Sequence, residues 1–262
     1  MKRPDRLNRL LELIAERHTL EVDELQSELG VSAATIRRDL DHLDEQRMLT
    51  RTRGGAVANN VAYDLPIRYK TTRKIGEKQR IAAAAAELVR SGMRIACNGG
   101  TTTTEVARAL TMRDDLAAED GTGPTITIAT NAVNIASELA VRPQVKLVLT
   151  GGVMRTQSYE LVGSLVDAVL DQLNFDLAIV GVNGIDPVHG ASAADEKEAA
   201  VNRLMASRSA RVVIVADSSK LGLTAFANIC TVEEIDVLIT DSGADARIIE
   251  EFRQAGIETV VV

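Results

Sequence analysis

The sequence predicts an α/β protein in two parts, an N-terminal winged helix-turn-helix domain and a larger C-terminal domain built on a mostly parallel sheet. Helical spacing of apolar residues, interrupted by a glycine turn, predicts the first part. Short apolar runs that alternate with helical segments from Ile75 onward predict the second. Charge divides the chain in the same way: residues 1–80 carry 16 Lys and Arg against 13 Asp and Glu, whereas the other 182 carry 14 against 24. The two parts are therefore expected to have different partners.

The first two helices follow from spacing and capping. Pro4 suits the first turn of a helix, and the apolar residues after it recur at i, i+3, i+4 and i+7, which predicts an amphipathic helix from Pro4 to Arg17. Asp23 is expected to cap a shorter second helix, because Gln26 follows three residues later, and Gly30 is expected to end it. The apolar stripe of the first helix is Leu7, Leu10, Leu11 and Ile14.

The third helix and the wing complete the first part. Ser32 is expected to cap the third helix, whose apolar residues at i, i+4 and i+7 form a buried stripe. Two helices joined by a tight glycine turn make a helix-turn-helix. The stretch from Leu49 to Val57 alternates around a turn at Gly54 and Gly55, which predicts a small hairpin, or wing. The stripe of the third helix is Ile36, Leu40 and Leu43.

The rest of the chain predicts a doubly covered sheet. Residues 58–74 have no apolar period and are interpreted as a linker between domains at 1–57 and 75–262. Seven strands separated by helical segments imply a largely parallel sheet with helices on both faces. The predicted strands are Met93 to Cys97, Thr125 to Ala129, Val145 to Leu149, Asp176 to Gly181, Arg211 to Ala216, Asp236 to Thr240 and Glu258 to Val262.

The third helix and the wing carry the residues expected to contact DNA. Basic and hydroxyl side chains concentrate in the N-terminal half of that helix, the end that enters the major groove in this motif. A solvated charged face is the alternative, because Asp39, Asp41, Asp44 and Glu45 follow on the same helix. Aromatic residues make up only 2% of the chain and tryptophan is absent, which favours duplex over single-stranded DNA. The predicted DNA contacts are Ser32, Thr35, Arg37, Arg38, Arg51, Arg53, Gly54 and Gly55.

Polar or glycine-rich turns follow five of the predicted strands. Open α/β sheets bind ligands at the carboxyl ends of their strands, and a glycine-threonine turn that opens a helix presents amides and hydroxyls to an anion. A threonine-capped turn without a ligand is the alternative. The turns suit a small phosphorylated polyol, because no aromatic residue is evident for stacking a base. The predicted effector contacts are Asn98, Gly99, Gly100, Thr101, Thr102, Thr103, Thr130, Asn131, Gly151, Gly152, Asn183, Asp217 and Lys220, the last from a neighbouring strand end.

Several classes of protein are excluded by composition. Cys97 and Cys230 lack a CxxC partner, and the chain has three histidines, so no metal site, disulfide framework or other cofactor is expected. The longest apolar runs are far shorter than the ~20 residues of a membrane span. The N-terminus lacks the apolar core of a secretory signal. The protein is therefore expected to be cytoplasmic, with no membrane partner.

Two segments carry a family resemblance. The stretch from Val31 to Leu40, followed by Arg51 to Ala56, resembles the N-terminal signature of DeoR-type bacterial transcriptional regulators. The resemblance extends over essentially the whole chain and implies a winged-helix repressor. It further implies a C-terminal domain related in fold to ribose-5-phosphate isomerase, which binds a phosphorylated sugar and thereby lowers operator affinity. The sensor segments that resemble the family are Gly99 to Thr103, Thr130 to Asn131, Thr150 to Gly152 and Asp217 to Lys220.

Two residues depart from the family pattern. Arg53 stands where the family often has histidine in the wing, which keeps a donor and adds a permanent charge. Asn202 stands where many members carry lysine, so a cationic contact to the effector is expected to be missing.

Two alternatives to a ligand-sensing regulator, and the oligomeric state, stay open at this stage. A carboxylate at Asp186, Asp195 or Glu196, with Lys220, would suit a sugar-phosphate isomerase, although such acids more often cap helices. Cys97 is expected to be a core residue and His189 to occupy a turn. The large domain would otherwise serve only oligomerisation. One helix-turn-helix reads a half-site, so a homodimer or homotetramer is expected.

Overall fold

A computed structural model describes residues 2–46, 48–58, 67, 74–117 and 123–262. Two compact units divide the chain, residues 1–73 and residues 74–262. Apart from Ala58, Ile67 and Lys74, the predicted linker at 58–74 lies outside the described residues. Within the described part of the chain, no helix has the length and apolar character needed to cross a membrane.

The first unit is a three-helix domain with a small antiparallel sheet in the order β1-β3-β2. Its helices pack around a core of leucine and isoleucine side chains that includes all the residues of both predicted stripes. The winged helix-turn-helix expected from the sequence is thus present. Its elements are α1 (Arg3–Arg17), β1 (Thr19–Glu21), α2 (Val22–Leu29), α3 (Ala33–Glu45), β2 (Leu49–Arg51) and β3 (Gly55–Ala58).

Three details of this unit differ from the sequence prediction. The second helix begins at Val22 rather than after a cap at Asp23, and its N-cap residue makes no side-chain hydrogen bond. Strand β1 was not predicted, because three residues between two helices are too few for their alternation to identify a strand. Gly55 is the first residue of β3 rather than part of the turn, and it pairs with Glu21 of β1.

The second unit contains a seven-stranded, entirely parallel sheet in the order β15-β14-β12-β9-β4-β5-β6. All seven strands of this sheet fall within or within one residue of the predicted ones. They are β4 (Arg94–Cys97), β5 (Ile126–Thr130), β6 (Val145–Leu149), β9 (Leu177–Gly181), β12 (Val212–Val215), β14 (Val237–Thr240) and β15 (Glu258–Val261).

Helices cover both faces of the large sheet, as expected. Alternate residues of one strand separate into two cores: Ile179 belongs to one, while Ala178 and Val180 belong to the other. The core with Ile179 includes residues of α4, α5 and α6, and the opposite core includes residues of α7, α8 and α9. These helices are α4 (Ile75–Glu87), α5 (Thr101–Thr111), α6 (Val133–Leu139), α7 (Ser164–Leu170), α8 (Glu196–Ser207) and α9 (Ala246–Gln254).

Five further short strands were not predicted. A two-stranded hairpin lies between β6 and α7, and a three-stranded antiparallel sheet has the order β10-β11-β13. Strands of three or four residues are too short to show the alternation that identifies a strand in sequence. They are β7 (Val153–Arg155), β8 (Glu160–Val162), β10 (Gly184–Asp186), β11 (Gly190–Ala193) and β13 (Ala227–Cys230).

Candidate functional site

The predicted recognition helix of the first unit is α3, and Ser32 is its N-cap residue. The Ser32 Oγ accepts the backbone N–H of Thr35 at 3.3 Å, which is the N-cap bond expected from the sequence. The same oxygen lies 3.0 Å from the Thr35 hydroxyl. Both side chains are therefore held at the N-terminal end of α3, although Ser32 already has a capping role.

The acidic residues of α3 are not a simple solvated face. Asp39 is buried, accepts a hydrogen bond from the Arg6 Nε at 2.5 Å and lies 3.4 Å from the Arg3 Nε. A buried carboxylate held in this way ties α3 to α1. Its charge is balanced inside the domain, so it detracts less from a cationic surface than the sequence alone implies.

Arg51 fastens the wing to α3. Its Nε donates to Asp41 Oδ1 at 2.8 Å, its backbone N–H donates to Asp44 Oδ1 at 3.2 Å, and its guanidinium also donates to the Gly55 carbonyl. A Cβ added at Gly55 would lie 1.7 Å from the Leu20 carbonyl oxygen, so this position needs glycine for close packing against β1. Both predicted DNA contacts thus have a clear structural role.

The other basic residues among the predicted DNA contacts are available to bind DNA. Arg37, Arg38 and Arg53 are exposed, and within the described residues none of them forms an ion pair. Gly54 is exposed beside Arg53 in the wing turn, and its carbonyl accepts the N–H of Val22. Three unpaired guanidinium groups on α3 and the wing are suited to phosphates and guanine edges.

In the second unit, the parallel sheet brings the predicted turns to one edge. Cys97, the last residue of β4, pairs in register with Thr130 of β5 and Ile179 of β9. Thr130 pairs in turn with Leu149, the last residue of β6. The carboxyl ends of β6, β5, β4, β9 and β12 therefore lie side by side, as the sequence predicts.

The turn after β4 is shaped by the side chain of Asn98 and by two glycines. The Asn98 side chain donates to the Gly181 carbonyl at 2.9 Å and accepts the Gly181 N–H at 2.8 Å, so its amide joins β4 to β9. Gly99 packs against a buried carboxylate: an added Cβ would lie 2.3 Å from Glu160 Cγ. Gly100 has φ 145°, a backbone conformation that favours glycine, and is the N-cap residue of α5.

The threonines of this turn divide into two pairs. Thr103 Oγ1 and Thr104 Oγ1 donate to the Gly100 carbonyl at 3.2 and 2.6 Å. Within the described residues, the hydroxyls of Thr101 and Thr102 have no hydrogen-bond partner. The first backbone N–H groups of a helix also lack partners within it. Two hydroxyls and the amides at the start of α5 are therefore free to hold an anion.

The end of β5 is closed by the β7–β8 hairpin. Thr130 Oγ1 accepts the Ala132 N–H at 3.1 Å, and Asn131 Nδ2 donates to Glu160 Oε2 at 3.0 Å. Gly151 is exposed at the end of β6. Gly152 packs against α7, where an added Cβ would lie 2.6 Å from Val166 Cγ2. Most of the predicted effector contacts in this region therefore have a structural role, in addition to any contact with a ligand.

Asp217 and Lys220 lie after β12, which is separated from β4 by β9 and is therefore not its direct neighbour. Burial opposes ionisation of Asp217, but the Ser219 hydroxyl and the charges of Lys220 and Lys74 outweigh it and hold the Asp217 pKa below its ordinary value. Lys74 Nζ lies 3.4 Å from Asp217 Oδ1 and donates to Ser218 Oγ at 2.9 Å. This cluster adds lysine charge at the same sheet edge.

Asn183 follows β9 at this edge. Its Oδ1 accepts the Ala194 N–H at 3.0 Å, and its own backbone N–H donates to the Ser192 carbonyl at 2.9 Å. The side-chain oxygen is thus used to hold the loop between β11 and α8.

Two of the three acids considered as catalytic bases, Asp186 and Asp195, have structural partners. Asp186 Oδ1 accepts the N–H groups of Val188 and His189 and contacts the His189 Nδ1 at 2.9 Å, so both residues belong to a turn. Asp195 caps α8 and pairs with Arg155 at 3.1 Å. Glu196 is exposed in the first turn of α8.

Cys97 lies within the core, as expected. Burial, with a smaller contribution from the Glu160 charge, raises the pKa of its thiol to about 12. The thiol is therefore protonated at neutral pH and is a poor nucleophile.

Sequence reasoning missed Glu160, Arg155 and Lys74. Glu160 and Arg155 belong to the β7–β8 hairpin, whose strands were not predicted. Lys74 was placed in the linker, and only its contact with Ser218 brings it to the sheet edge. No local pattern marks these three residues, since each acts through a contact distant in sequence.

A winged helix-turn-helix followed by a parallel α/β domain with a polar strand edge defines a class: DNA-binding regulators with a ligand-sensing domain. The DeoR-like helix-turn-helix domain matches residues 6–62, and the DeoR C terminal sensor domain matches residues 73–242. The chain belongs to the DeoR family of transcriptional regulators, which confirms the resemblance inferred from the sequence.

Named relatives are similar along nearly their whole length. The HTH-type transcriptional regulator GlpR of Haloferax volcanii is 36% identical over 98% of this chain and 96% of its own. The glycerol-3-phosphate regulon repressor of Escherichia coli (strain K12) is 31% identical over 92% of each chain. Among solved structures, ribose 5-phosphate isomerase from Plasmodium falciparum is 20% identical, with a TM-score of 0.38, over 56% of this chain and 52% of that chain.

Proposed function

We propose that this regulator is a repressor of carbohydrate metabolism genes that a phosphorylated sugar or polyol releases from its operator. The observation that carries the proposal is the start of α5, where the hydroxyls of Thr101 and Thr102 and the first amides have no partner in the described residues. A relative named as a glycerol-3-phosphate regulon repressor supports the same class of pathway.

This function is tested by measuring whether a metabolite releases the protein from operator DNA. Operator fragments bound to the full chain are titrated with phosphorylated sugars and polyols. A compound that both stabilises the protein thermally and lowers operator affinity supports the proposal, because an effector acts through its differential affinity for two states. Operator affinity that rises with the compound would reverse the sign of regulation.

We expect Arg37 and Arg38 to carry part of the DNA contact, because both are exposed and unpaired within the described residues. Replacing a phosphate-contacting arginine by alanine lowers the salt slope by about one unit, whereas replacing a base-reading one costs about 1 to 3 kcal/mol of discrimination. Operator affinity is measured against salt concentration for Arg37→Ala and Arg38→Ala.

Arg17→Ala is the matched control for these variants, since it removes the same charge from α1, where Arg17 pairs with Glu28 at 3.0 Å. Its effect on operator affinity is expected to be small. If both α3 variants behave like the control, the assignment of α3 as the recognition helix is wrong.

The domain organisation is proposed as residues 1–57 for DNA binding, 58–74 as linker and 75–262 for sensing and oligomerisation. Each part has its own hydrophobic core, which supports independent folding. Residues 1–57 alone are expected to bind DNA weakly, because one winged helix reads a half-site. A fragment of residues 75–262 that is monomeric by light scattering and unresponsive to every sugar phosphate would refute this division.

We propose that the sensor domain binds its ligand without turning it over. Asp186 and Asp195 are engaged in a turn and a helix cap, Glu196 is exposed in the first turn of α8, and the Cys97 thiol has a raised pKa. Incubation with aldose and ketose phosphates, followed by analysis of products, tests this view. Isomerisation by the purified chain would instead favour the enzyme alternative.

A further inference from the structure

The wing turn, residues 52–54, is anchored at both ends. The Thr52 N–H donates to the carbonyl of Gly55, the first residue of β3, at 3.1 Å, and the Gly55 N–H donates to Thr52 Oγ1 at 3.0 Å. The Gly54 carbonyl accepts the N–H of Val22, the first residue of α2, at 2.9 Å. Arg53 lies between these residues and is exposed. The turn therefore presents this guanidinium from a backbone that is held on both sides.

Arg51, the residue before this turn, connects it to α3. Its Nε donates to Asp41 Oδ1 at 2.8 Å, and its backbone N–H donates to Asp44 Oδ1 at 3.2 Å. Its guanidinium also donates to the Gly55 carbonyl, and its side chain is 22% exposed. Two carboxylates of the predicted recognition helix thus hold the main chain and the side chain of one wing residue.

Asp41 pairs with the wing although other cations lie closer along its own helix. Arg37 and Arg38 precede it by four and three residues, the spacing at which side chains on one helix meet. Within the described residues neither of them forms an ion pair, and Asp41 pairs with Arg51 instead. The Asp41 side chain is 59% exposed. An exposed carboxylate beside arginines that bind DNA repels phosphates, so its charge alone does not favour binding.

The contact of Asp41 with the wing is a weak source of stability. An exposed ion pair adds little to the free energy of folding. Strands β2 and β3 are paired along their length, and their residues Leu49 and Ala56 are buried in the core of the domain. The wing therefore keeps its fold without Asp41, and the contact determines where the turn lies relative to α3.

We propose that Asp41 and Asp44 are positioning residues for DNA recognition, which act through Arg51. They fix the wing turn relative to α3, so that Arg53 meets the DNA at a set distance from the arginines of that helix. Such placement affects sequence discrimination, because contacts to the DNA backbone set the register in which other side chains meet the base edges. This inference rests on the proposed DNA contacts of α3 and the wing.

Binding of the full chain to two duplexes tests this role. One duplex is selected by the wild-type chain from a randomised pool, and the other has the same bases in scrambled order. Dissociation constants are measured at one salt concentration, because affinity for DNA depends steeply on salt, and their ratio gives the discrimination. Asp41→Ala and Asp44→Ala are compared with Glu45→Ala, the matched control, because Glu45 is an exposed acid of the same helix.

The ratio of the two dissociation constants separates positioning from charge and from stability. Each variant loses one negative charge, so each is expected to bind the scrambled duplex more tightly. In Glu45→Ala both duplexes gain equally and the ratio stays at the wild-type value. In Asp41→Ala and in Asp44→Ala we expect the ratio to fall about two- to fivefold, the contribution of an exposed ion pair. Partial unfolding would weaken binding to both duplexes by one factor and leave the ratio unchanged.

A double-mutant cycle tests whether Arg53 transmits the effect. In an Arg53→Ala background, Asp41→Ala is expected to leave the ratio unchanged, because the contact that it misplaces is already absent. Circular dichroism is expected to give the same thermal midpoint for Asp41→Ala and for Glu45→Ala.

A ratio in Asp41→Ala equal to that in Glu45→Ala overturns the inference, and so does an equal loss with and without Arg53. If Asp41→Ala does not fold, Asp44→Ala takes its place in the cycle and the same two results decide. Weaker binding in Arg37→Ala, with an unchanged ratio in Asp41→Ala, refutes only the positioning role. If the wild-type chain selects no duplex, the inference and the proposed function both fail.

Discussion

Gly55→Ala is expected to unfold the winged helix at temperatures where the wild-type domain is stable. A Cβ at this position would lie 1.7 Å from the Leu20 carbonyl oxygen and 2.8 Å from its carbonyl carbon, both backbone atoms of the paired strand β1. Overpacking costs about 1 to 3 kcal/mol and occasionally more, and a backbone clash belongs at the upper end. A loss of about 3 kcal/mol lowers the unfolding midpoint of a domain of this size by roughly 12 to 24 °C.

The measurement is operator affinity across a temperature series, combined with circular dichroism of the full chain. Because only the folded domain binds, apparent affinity falls with the folded fraction. Effector binding is expected to stay normal, since the sensor unit is unchanged.

Gly54→Ala is the matched control for this substitution. The added Cβ would lie 2.7 Å from Glu21 Oε2, the mobile end of a side chain, which can move aside at small cost. Equal midpoints for the two variants would show that β1 and β3 relax, and that Gly55 is not required for packing.

The elements that could be predicted are those with a strong local period. Val212 to Val215 is buried throughout on a strand with helices on both sides, and such strands read as continuous apolar runs. The buried stripe of α3 recurs at helical spacing, and Ser32 supplies its cap. These signals lie within one element, so the sequence displays them directly.

The features that escaped prediction depend on contacts between distant segments. Glu160 lies 61 positions after Gly99, and only the parallel sheet with the added hairpin brings the two together. A solvated charged face that includes Asp39 was the alternative interpretation of α3, but Asp39 is buried and accepts a hydrogen bond from Arg6 on another helix. Arg51 remains a predicted DNA contact, but its guanidinium also binds Asp41 and the wing backbone, which the sequence did not indicate. In each case the residue type indicates a polar contact, but the sequence does not show which distant residue is the partner.

Thr102→Ala is expected to give a regulator that needs much more effector for release from its operator. The Thr102 hydroxyl has no partner within the described residues and lies in the first turn of α5, where a helix favours an anion. Hydrogen bonds to charged groups contribute about 1.5 to 3 kcal/mol, so loss of this hydroxyl should weaken effector binding by roughly 10- to 150-fold.

Thr103→Val provides the comparison for Thr102→Ala, since its hydroxyl already donates to the Gly100 carbonyl and is expected to add little to ligand binding. Operator affinity without effector should remain near the wild-type value in both variants, because neither touches the DNA-binding unit. By linkage, an effector that binds a variant more weakly releases the operator only at a higher concentration. The release midpoint rises by the factor by which the differential affinity of the effector falls. Titration of effector against each operator complex measures that shift, and equal midpoints for Thr102→Ala and the wild type would place the phosphate elsewhere.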